Sequence, residues 1–135
     1  MSYADVVDGL HERFATVSGI GPVLDYAPTS VPADKTLFSS LDSFEIVRSG
    51  QVIAYRYRIR HRLVIYWQDN AAAEESLQPF VNSIPAAVDA DPHLGARLTA
   101  GYAQITSGDA GWFDVGGTDY RYVDFYSTVL DKSGT

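Results

Sequence analysis

The sequence has no cysteine. Disulfide bonds, thiolate metal sites and cysteine nucleophiles are therefore excluded, and we expect a cytoplasmic origin. Histidine is scarce, because His11, His61 and His93 are the only three. No apolar run approaches the roughly 18–20 residues that a membrane-spanning helix needs. The first residues also lack the basic and then apolar pattern of a secretory signal. We expect a protein that works without a membrane.

Basic charge is limited as well. Ten lysines and arginines stand against seventeen acidic residues, which gives a net charge of −7 and a pI near 4.7. Because non-specific affinity for nucleic acid comes from neutralising phosphates, this balance disfavours it. The 135 residues contain no internal repeat and no break in composition. A chain of this length is typical of one domain, so we predict a single domain over 1–135.

Two segments have the period of amphipathic helices. The first runs from Ser2 to Ser18, with Ser2 as the N-cap and Asp5 in the first turn. Its apolar positions recur at helical spacing: Val6, Leu10, Phe14 and Val17. The second runs from Ala71 to Asp91, and its predicted apolar stripe is Leu77, Val81, Ile84 and Val88. Pro79 and Pro85 fall inside this segment and predict a kink or two short helices.

The remaining segments read as strands. They are Pro22–Tyr26, Ser43–Arg48, Gln51–Gln68, Leu98–Ser107, Gly111–Val115 and Thr118–Leu130. Ser49-Gly50 is a turn dipeptide, so Ser43–Arg48 and Gln51–Gln68 predict an extended β-hairpin. In the last strand, Val123, Phe125 and Val129 share the face that we expect to be buried. The order of segments predicts an α+β fold, with two amphipathic helices packed on one face of a largely antiparallel β-sheet.

No assembled catalytic motif is visible. His61 lies among apolar neighbours on one face of the long strand, and we predict a packed histidine with a hydrogen-bond partner. Asp89, Asp91 and His93 are the nearest approach to a metal cluster. They lack the glutamate of a calcium loop, so we interpret them as a solvated helix end and turn. We predict no enzyme activity, no metal and no cofactor.

The most unusual feature is a ladder of four arginines on one strand face: Arg56, Arg58, Arg60 and Arg62. Alternate residues of a strand are about 6.7 Å apart, so the ladder spans roughly 20 Å. Three interpretations compete. The ladder is a solvated or internally salt-bridged face, a subunit interface that meets carboxylates of a neighbour, or a nucleic-acid contact. We favour the interface, since arginine suits bidentate pairing with carboxylates.

Aromatic residues are also abundant, with nine tyrosines, six phenylalanines and two tryptophans. Tyrosine is enriched at protein interfaces. Tyr120, Tyr122 and Tyr126 lie on one face of the last strand and are a candidate contact strip. Half-buried packing within the sheet explains them equally well.

Taken in order, these segments resemble the tail terminator family of long-tailed bacteriophages. The resemblance covers most of the chain. It rests on the opening helix that ends at Ser18-Gly19-Ile20, the strand Tyr55–Trp67, the segment Asp91-Pro92-His93-Leu94-Gly95, and the closing strand Tyr120–Leu130.

The resemblance implies a structural virion protein that forms a hexameric ring at the head-proximal end of the tail. Such a ring is assembled in the host cytoplasm, caps the tail tube, ends its polymerisation and joins the head. Its partners are other copies of the chain, the tail tube protein and a head–tail connector or stopper protein. DNA passes through it without sequence-specific binding. Within this picture, the hairpin tip at Ser49 and Gly50 contacts the tube.

Two alternatives stay open. Another connector-ring subunit, such as a stopper or adaptor, would have a similar layout. A small α+β ligand-binding protein or enzyme would need an apolar cavity with convergent polar groups, for example around Tyr57, His61 and Trp67.

Overall fold

A computed structural model describes residues 2–67 and 69–132. The predicted strand end at Gln68 and both ends of the predicted domain, 1 and 135, lie outside the described residues. The elements in chain order are α1 Tyr3–Ala15, β1 Val23–Leu24, β2 Thr36–Ser49, β3 Val52–Tyr66, α2 Asn70–Asp89, β4 Gly101–Val115 and β5 Thr118–Asp131. The strands form one sheet in the order β1-β2-β3-β5-β4. Only the short β1–β2 pair is parallel. The α+β class and the largely antiparallel sheet are therefore confirmed.

Helix α1 begins where the sequence predicts. The Ser2 hydroxyl accepts a hydrogen bond from the Asp5 backbone N–H, and the Asp5 carboxylate accepts one from the Ser2 N–H. This capping box satisfies backbone groups that a helix start otherwise leaves without partners. Leu10 and Phe14 are fully buried, so the predicted apolar face is correct.

Helix α2 departs from the prediction in two ways. It is one continuous helix of 20 residues, although it contains both Pro79 and Pro85, so two short helices are not formed. The buried stripe contains Phe80, whereas Val81, which was predicted to belong to it, is exposed. An interior proline costs about 3 kcal/mol. Each large buried apolar side chain contributes about 1.5–3 kcal/mol, so tertiary packing offsets the local preference.

The predicted strands Leu98–Ser107 and Gly111–Val115 are one strand, β4, with a bulge between Ile105 and Ser107. The glycines that suggested a break instead permit close approach to β5. A Cβ on Gly111 would lie 2.7 Å from the Tyr122 hydroxyl, so the tyrosine ring occupies the space that a side chain would need. Gly116 and Gly117 both have positive φ and join β4 to β5 in a two-residue turn.

The sheet presents two distinct faces. On the core face, alternate residues of β3 and β5 belong to the same buried cluster as residues of both helices: Ile59, Leu63, Val123, Phe125 and Val129, with Leu10, Phe14, Phe80 and Ile84. The predicted burial of Val123, Phe125 and Val129 is confirmed. The opposite face, called the arginine face below, carries the four ladder residues. None of the helices within residues 2–67 and 69–132 is long and apolar enough to cross a lipid bilayer.

The corrected stripe of α2 gives a first prediction. We expect Phe80→Ala to lower the free energy of unfolding by about 3–5 kcal/mol, because Phe80 is 3% exposed and its removal leaves a cavity. Val81→Ala is the matched control one position along, and should cost less than about 1 kcal/mol. Urea denaturation measures both. Equal losses would contradict the assigned stripe.

Candidate functional site: the arginine face and the exposed arm

Arg62 is locked to the sheet at one end of the ladder. Its guanidinium donates to both carboxylate oxygens of Asp124, at 2.8 and 2.9 Å, and Asp124 is 2% exposed. The guanidinium also lies over the Tyr122 ring, 4.0 Å from its centroid. The hydrogen bond to Asp124 is the main reason that the pKa of Arg62 is raised. This buried bidentate pair has an internal structural role.

Two further ladder residues have weaker internal partners. Arg58 Nε lies 2.9 Å from Asp42 Oδ2, and its guanidinium lies 4.4 Å from the centre of the Tyr126 ring. Arg56 Nη1 lies 3.4 Å from Glu45 Oε2. The side chains in both ion pairs are largely exposed, so each pair contributes at most about 1 kcal/mol.

Arg60 differs from the other three. Among residues 2–67 and 69–132, no hydrogen bond or ion pair to a carboxylate is found for it, although it acts electrostatically on Tyr126, its neighbour on β5. The ladder therefore divides into three arginines with internal partners and one half-buried arginine available for an external anion.

The charge of this face is close to balanced. Four carboxylates share it with the four arginines: Asp42, Glu45, Asp109 and Asp124. A strip that binds phosphates needs a surplus of positive charge, so this balance weighs against the nucleic-acid interpretation.

The three candidate tyrosines also lie on the arginine face and are half-buried. Tyr120 packs against Tyr66 and Phe113, with ring centroids 5.6 and 5.8 Å apart. Tyr122 meets Phe113 edge to face at 5.5 Å. Tyr126 lies under Arg58. The predicted packing within the sheet is therefore present, and of the three tyrosines Tyr126 is the one opposite Arg60.

The predicted turn at Ser49-Gly50 is shifted by one residue. Ser49 pairs with Val52, so Gly50 and Gln51 are the central residues, and Gly50 has a φ of 61°. Gly50 is the first central position, where type II′ turns favour glycine.

The segment of residues 41–52, called the exposed arm below, is exposed throughout. It carries five large apolar side chains that are each 39–56% exposed: Leu41, Phe44, Ile46, Val47 and Val52. Leu41, Phe44 and Ile46 lie on the side of the core face, whereas Val47 and Val52 lie on the other side. Contiguous exposed apolar surface of this kind marks interaction sites. The sequence predicted an extended hairpin here, whereas which side chains are exposed on each side depends on how far the helices extend.

His61 lies within a chain of polar side chains through the core. It is fully buried, its Nδ1 lies 2.6 Å from Ser39 Oγ, and its Nε2 lies 2.8 Å from Ser127 Oγ. The predicted packed histidine with a hydrogen-bond partner is confirmed. Ser39 Oγ also lies 2.8 Å from His11 Nε2, and His11 Nδ1 lies 3.3 Å from Asp25 Oδ1. We call Asp25, His11, Ser39, His61 and Ser127 the polar chain.

The charge at one end of the polar chain assigns its protons. An ionised Asp25 only accepts, so His11 carries its proton on Nδ1 and leaves Nε2 free to accept. Ser39 then donates to His11 Nε2 and accepts from His61 Nδ1–H. His61 Nε2 in turn accepts from the Ser127 hydroxyl. Every member has a partner, which is the condition for burying polar groups at low cost.

A cavity of about 470 Å³ adjoins this chain between the start of α1, β2 and the segment after β1. Ser39 and Asp25 lie in its wall, with Tyr3, Val7, Tyr26 and Leu41 among the apolar lining. The ligand pocket suggested by Tyr57, His61 and Trp67 is not assembled. Trp67 follows the end of β3, ten residues beyond Tyr57, which is about 33 Å along a strand.

The residues described by the structure contain no group of three metal-binding side chains. Asp91 accepts a hydrogen bond from the Gly95 N–H, and His93 Nδ1 lies near the carbonyl oxygens of Leu98 and Gly101. These contacts agree with the predicted turn.

The two ends of the ladder give a second prediction. We expect Arg62→Gln to lower the free energy of unfolding by about 3–5 kcal/mol, because it leaves the Asp124 carboxylate buried without its counter-ion. Arg56→Gln should change it by less than about 1 kcal/mol. Similar losses in urea denaturation would contradict the internal role of Arg62.

The third prediction concerns pH. Burial, followed by the nearby His11, lowers the pKa of His61 from 6.5 to about 3. Below pH 6.5 the unfolded chain binds a proton at His61 that the folded chain excludes, so stability falls as the pH falls from 6.5 towards 3. The His61 contribution to this slope approaches about 1.4 kcal/mol per pH unit. In His61→Gln, unfolding experiments across this range should show a shallower slope. Parallel slopes for the two proteins would contradict the assignment.

Comparison with models of known protein families and with curated protein sequences found no match for this chain.

Proposed function

We propose that the protein is a subunit of a hexameric ring at the head-proximal end of a phage tail, where it caps the tail tube, ends its polymerisation and provides the surface that joins the head. The proposal includes two helices packed on one face of the sheet and a β2–β3 hairpin that projects as the exposed arm. Its partners are neighbouring copies, the tube protein and a connector or stopper protein. DNA passes through the ring without sequence-specific binding, and no catalysis or cofactor is required.

The exposed arm is the observation that carries this proposal. Its residues pair with β3, and its apolar side chains are exposed on both sides, an arrangement that favours contact with another molecule. An extended hairpin can add to the edge of another sheet, so a tube subunit is a suitable partner. We assign the tip at Ser49 and Gly50 to this contact.

The arginine face supports the contact between copies. A ring needs a head-to-tail interface in which one surface meets a different surface of the neighbour. The ladder residues with Tyr120, Tyr122 and Tyr126 form the proposed surface on one side, and Arg60 is the ladder residue without an internal carboxylate among the described residues. The acidic excess of the chain supplies carboxylates for the other side.

The fourth prediction tests the role itself. In a phage that lacks this protein, we expect heads and tubes to form but not to join, and tubes to exceed their normal length, because nothing occupies the terminal contact surface. Electron micrographs measure tube length and joining. Tails of normal length without heads would favour a head-side connector, and normal infectious virions would exclude both roles.

Complementation of that mutant phage with variants of the protein distinguishes the contribution of the arm from that of the folded domain. The double variant Phe44→Ser/Ile46→Ser should fail to restore tube length, because it removes apolar contacts from the arm. Trp67→Ser removes an equally exposed aromatic side chain outside the arm and should restore it. Restoration by both variants would exclude the arm as the tube contact.

A further inference from the structure

Three members of the polar chain have the arrangement of a catalytic triad. The Asp25 carboxylate meets His11 at Nδ1, and His11 Nε2 meets Ser39 Oγ at 2.8 Å. These are the atoms by which a carboxylate orients a histidine and the histidine accepts a serine proton. The three residues come from different elements: His11 from α1, Ser39 from β2 and Asp25 from the segment after β1. We propose that Ser39 is an activated nucleophile, and that the adjoining cavity binds a small neutral ester which the protein hydrolyses.

His61 completes the hydrogen bonding of the serine. Because the contact of Asp25 with His11 Nδ1 leaves His11 Nε2 to accept the Ser39 hydroxyl, the serine oxygen accepts a hydrogen bond from His61 Nδ1–H. A serine oxygen has two lone pairs, and one remains for attack. Although Ser39 is 6% exposed, it lies in the cavity wall, where a bound ligand would meet it. His61 is therefore a positioning residue in this site.

The edge of the sheet supplies donors for the developing negative charge. β1 pairs with β2 only at Leu37 and Phe38, so Ser39 and the residues that follow it lie at an edge beside the cavity. An edge strand offers unpaired backbone N–H groups. These N–H groups are the ones available to stabilise an oxyanion.

The lining selects the substrate class. Apolar side chains dominate the cavity, whereas Asp8 and Asp25 contribute negative charge. An anionic ligand would be repelled, so a neutral ester with a short apolar acyl group fits best.

The proposed reaction uses water as its only co-reactant. As Ser39 Oγ bonds to the ester carbon, its proton moves to His11 Nε2 and the carbonyl electrons move onto oxygen. Collapse of this intermediate breaks the ester C–O bond, and the departing alcohol takes the proton from His11. Water then attacks the acyl-serine, gives a proton to His11 and releases the carboxylic acid, and the proton returns to Ser39.

An alkyl fluorophosphonate tests the proposal with the full chain, because a nucleophilic serine displaces fluoride and keeps the phosphonyl group. Intact-mass and peptide analysis should find one adduct, at Ser39. We expect none in Ser39→Ala and labelling at least about 100-fold slower in His11→Gln, since a general base contributes at least that factor. Ser43→Ala replaces an exposed serine of the same strand and should be labelled at the wild-type rate. The labelling rate should also fall when acid protonates His11.

Labelling of the wild-type protein tests the proposal even if a variant fails to fold. No adduct, or an adduct elsewhere, would overturn the proposal. An adduct at Ser39 that forms equally fast in a folded His11→Gln variant would exclude activation by the triad. Hydrolysis of 4-nitrophenyl butyrate, abolished by Ser39→Ala, would extend the result from reactivity to turnover. The labelling result does not depend on whether the protein forms a ring.

Discussion

The alternation of β3 is the constraint on which the rest of the protein depends. This strand lies between β2 and β5. Its odd-numbered residues from Tyr57 to Ile65 are buried in the core, and its even-numbered residues from Arg56 to Arg62 are the four arginines of the opposite face. A slip of one residue in register would bury four cations and expose the apolar set, so the pairing is fixed on both sides. One strand thereby determines where the core forms and where charge lies at the surface.

Most of the arginines on the arginine face form ion pairs within the sheet. Arg62, Asp124 and the Tyr122 ring form one stacked and hydrogen-bonded unit across β3 and β5. Towards the arm, the ion pairs become more exposed, so they hold the strands less firmly. The strongest of these ion pairs therefore lies at the end of the ladder near Tyr122. The exposed apolar side chains of the arm lie at the opposite end.

Features that depend on local period were predictable from the sequence, and features that depend on distant residues were not. The cap at Ser2, the two faces of β3 and the burial of Phe125 follow from spacing alone. The continuous helix through Pro79 does not, because packing of its neighbour Phe80 outweighs local preference. The polar chain joins residues 11 to 127 through three-dimensional proximity, so His61 alone was visible as one member of it. The partial pairing of the ladder likewise depends on strand register.

The bulge between Leu41 and Ser43 divides β2 into two parts whose side chains follow different parity. Before it, even-numbered residues of β2 such as Ser40 lie on the arginine face, and after it odd-numbered residues such as Glu45 do. Asp42 is the extra residue of the bulge, so its loss would leave Ser43–Ser49 opposite the same partners on β3 and each side chain of the arm on its present side. The chain can therefore lose a residue at this position without changing which apolar side chains the arm presents to a partner.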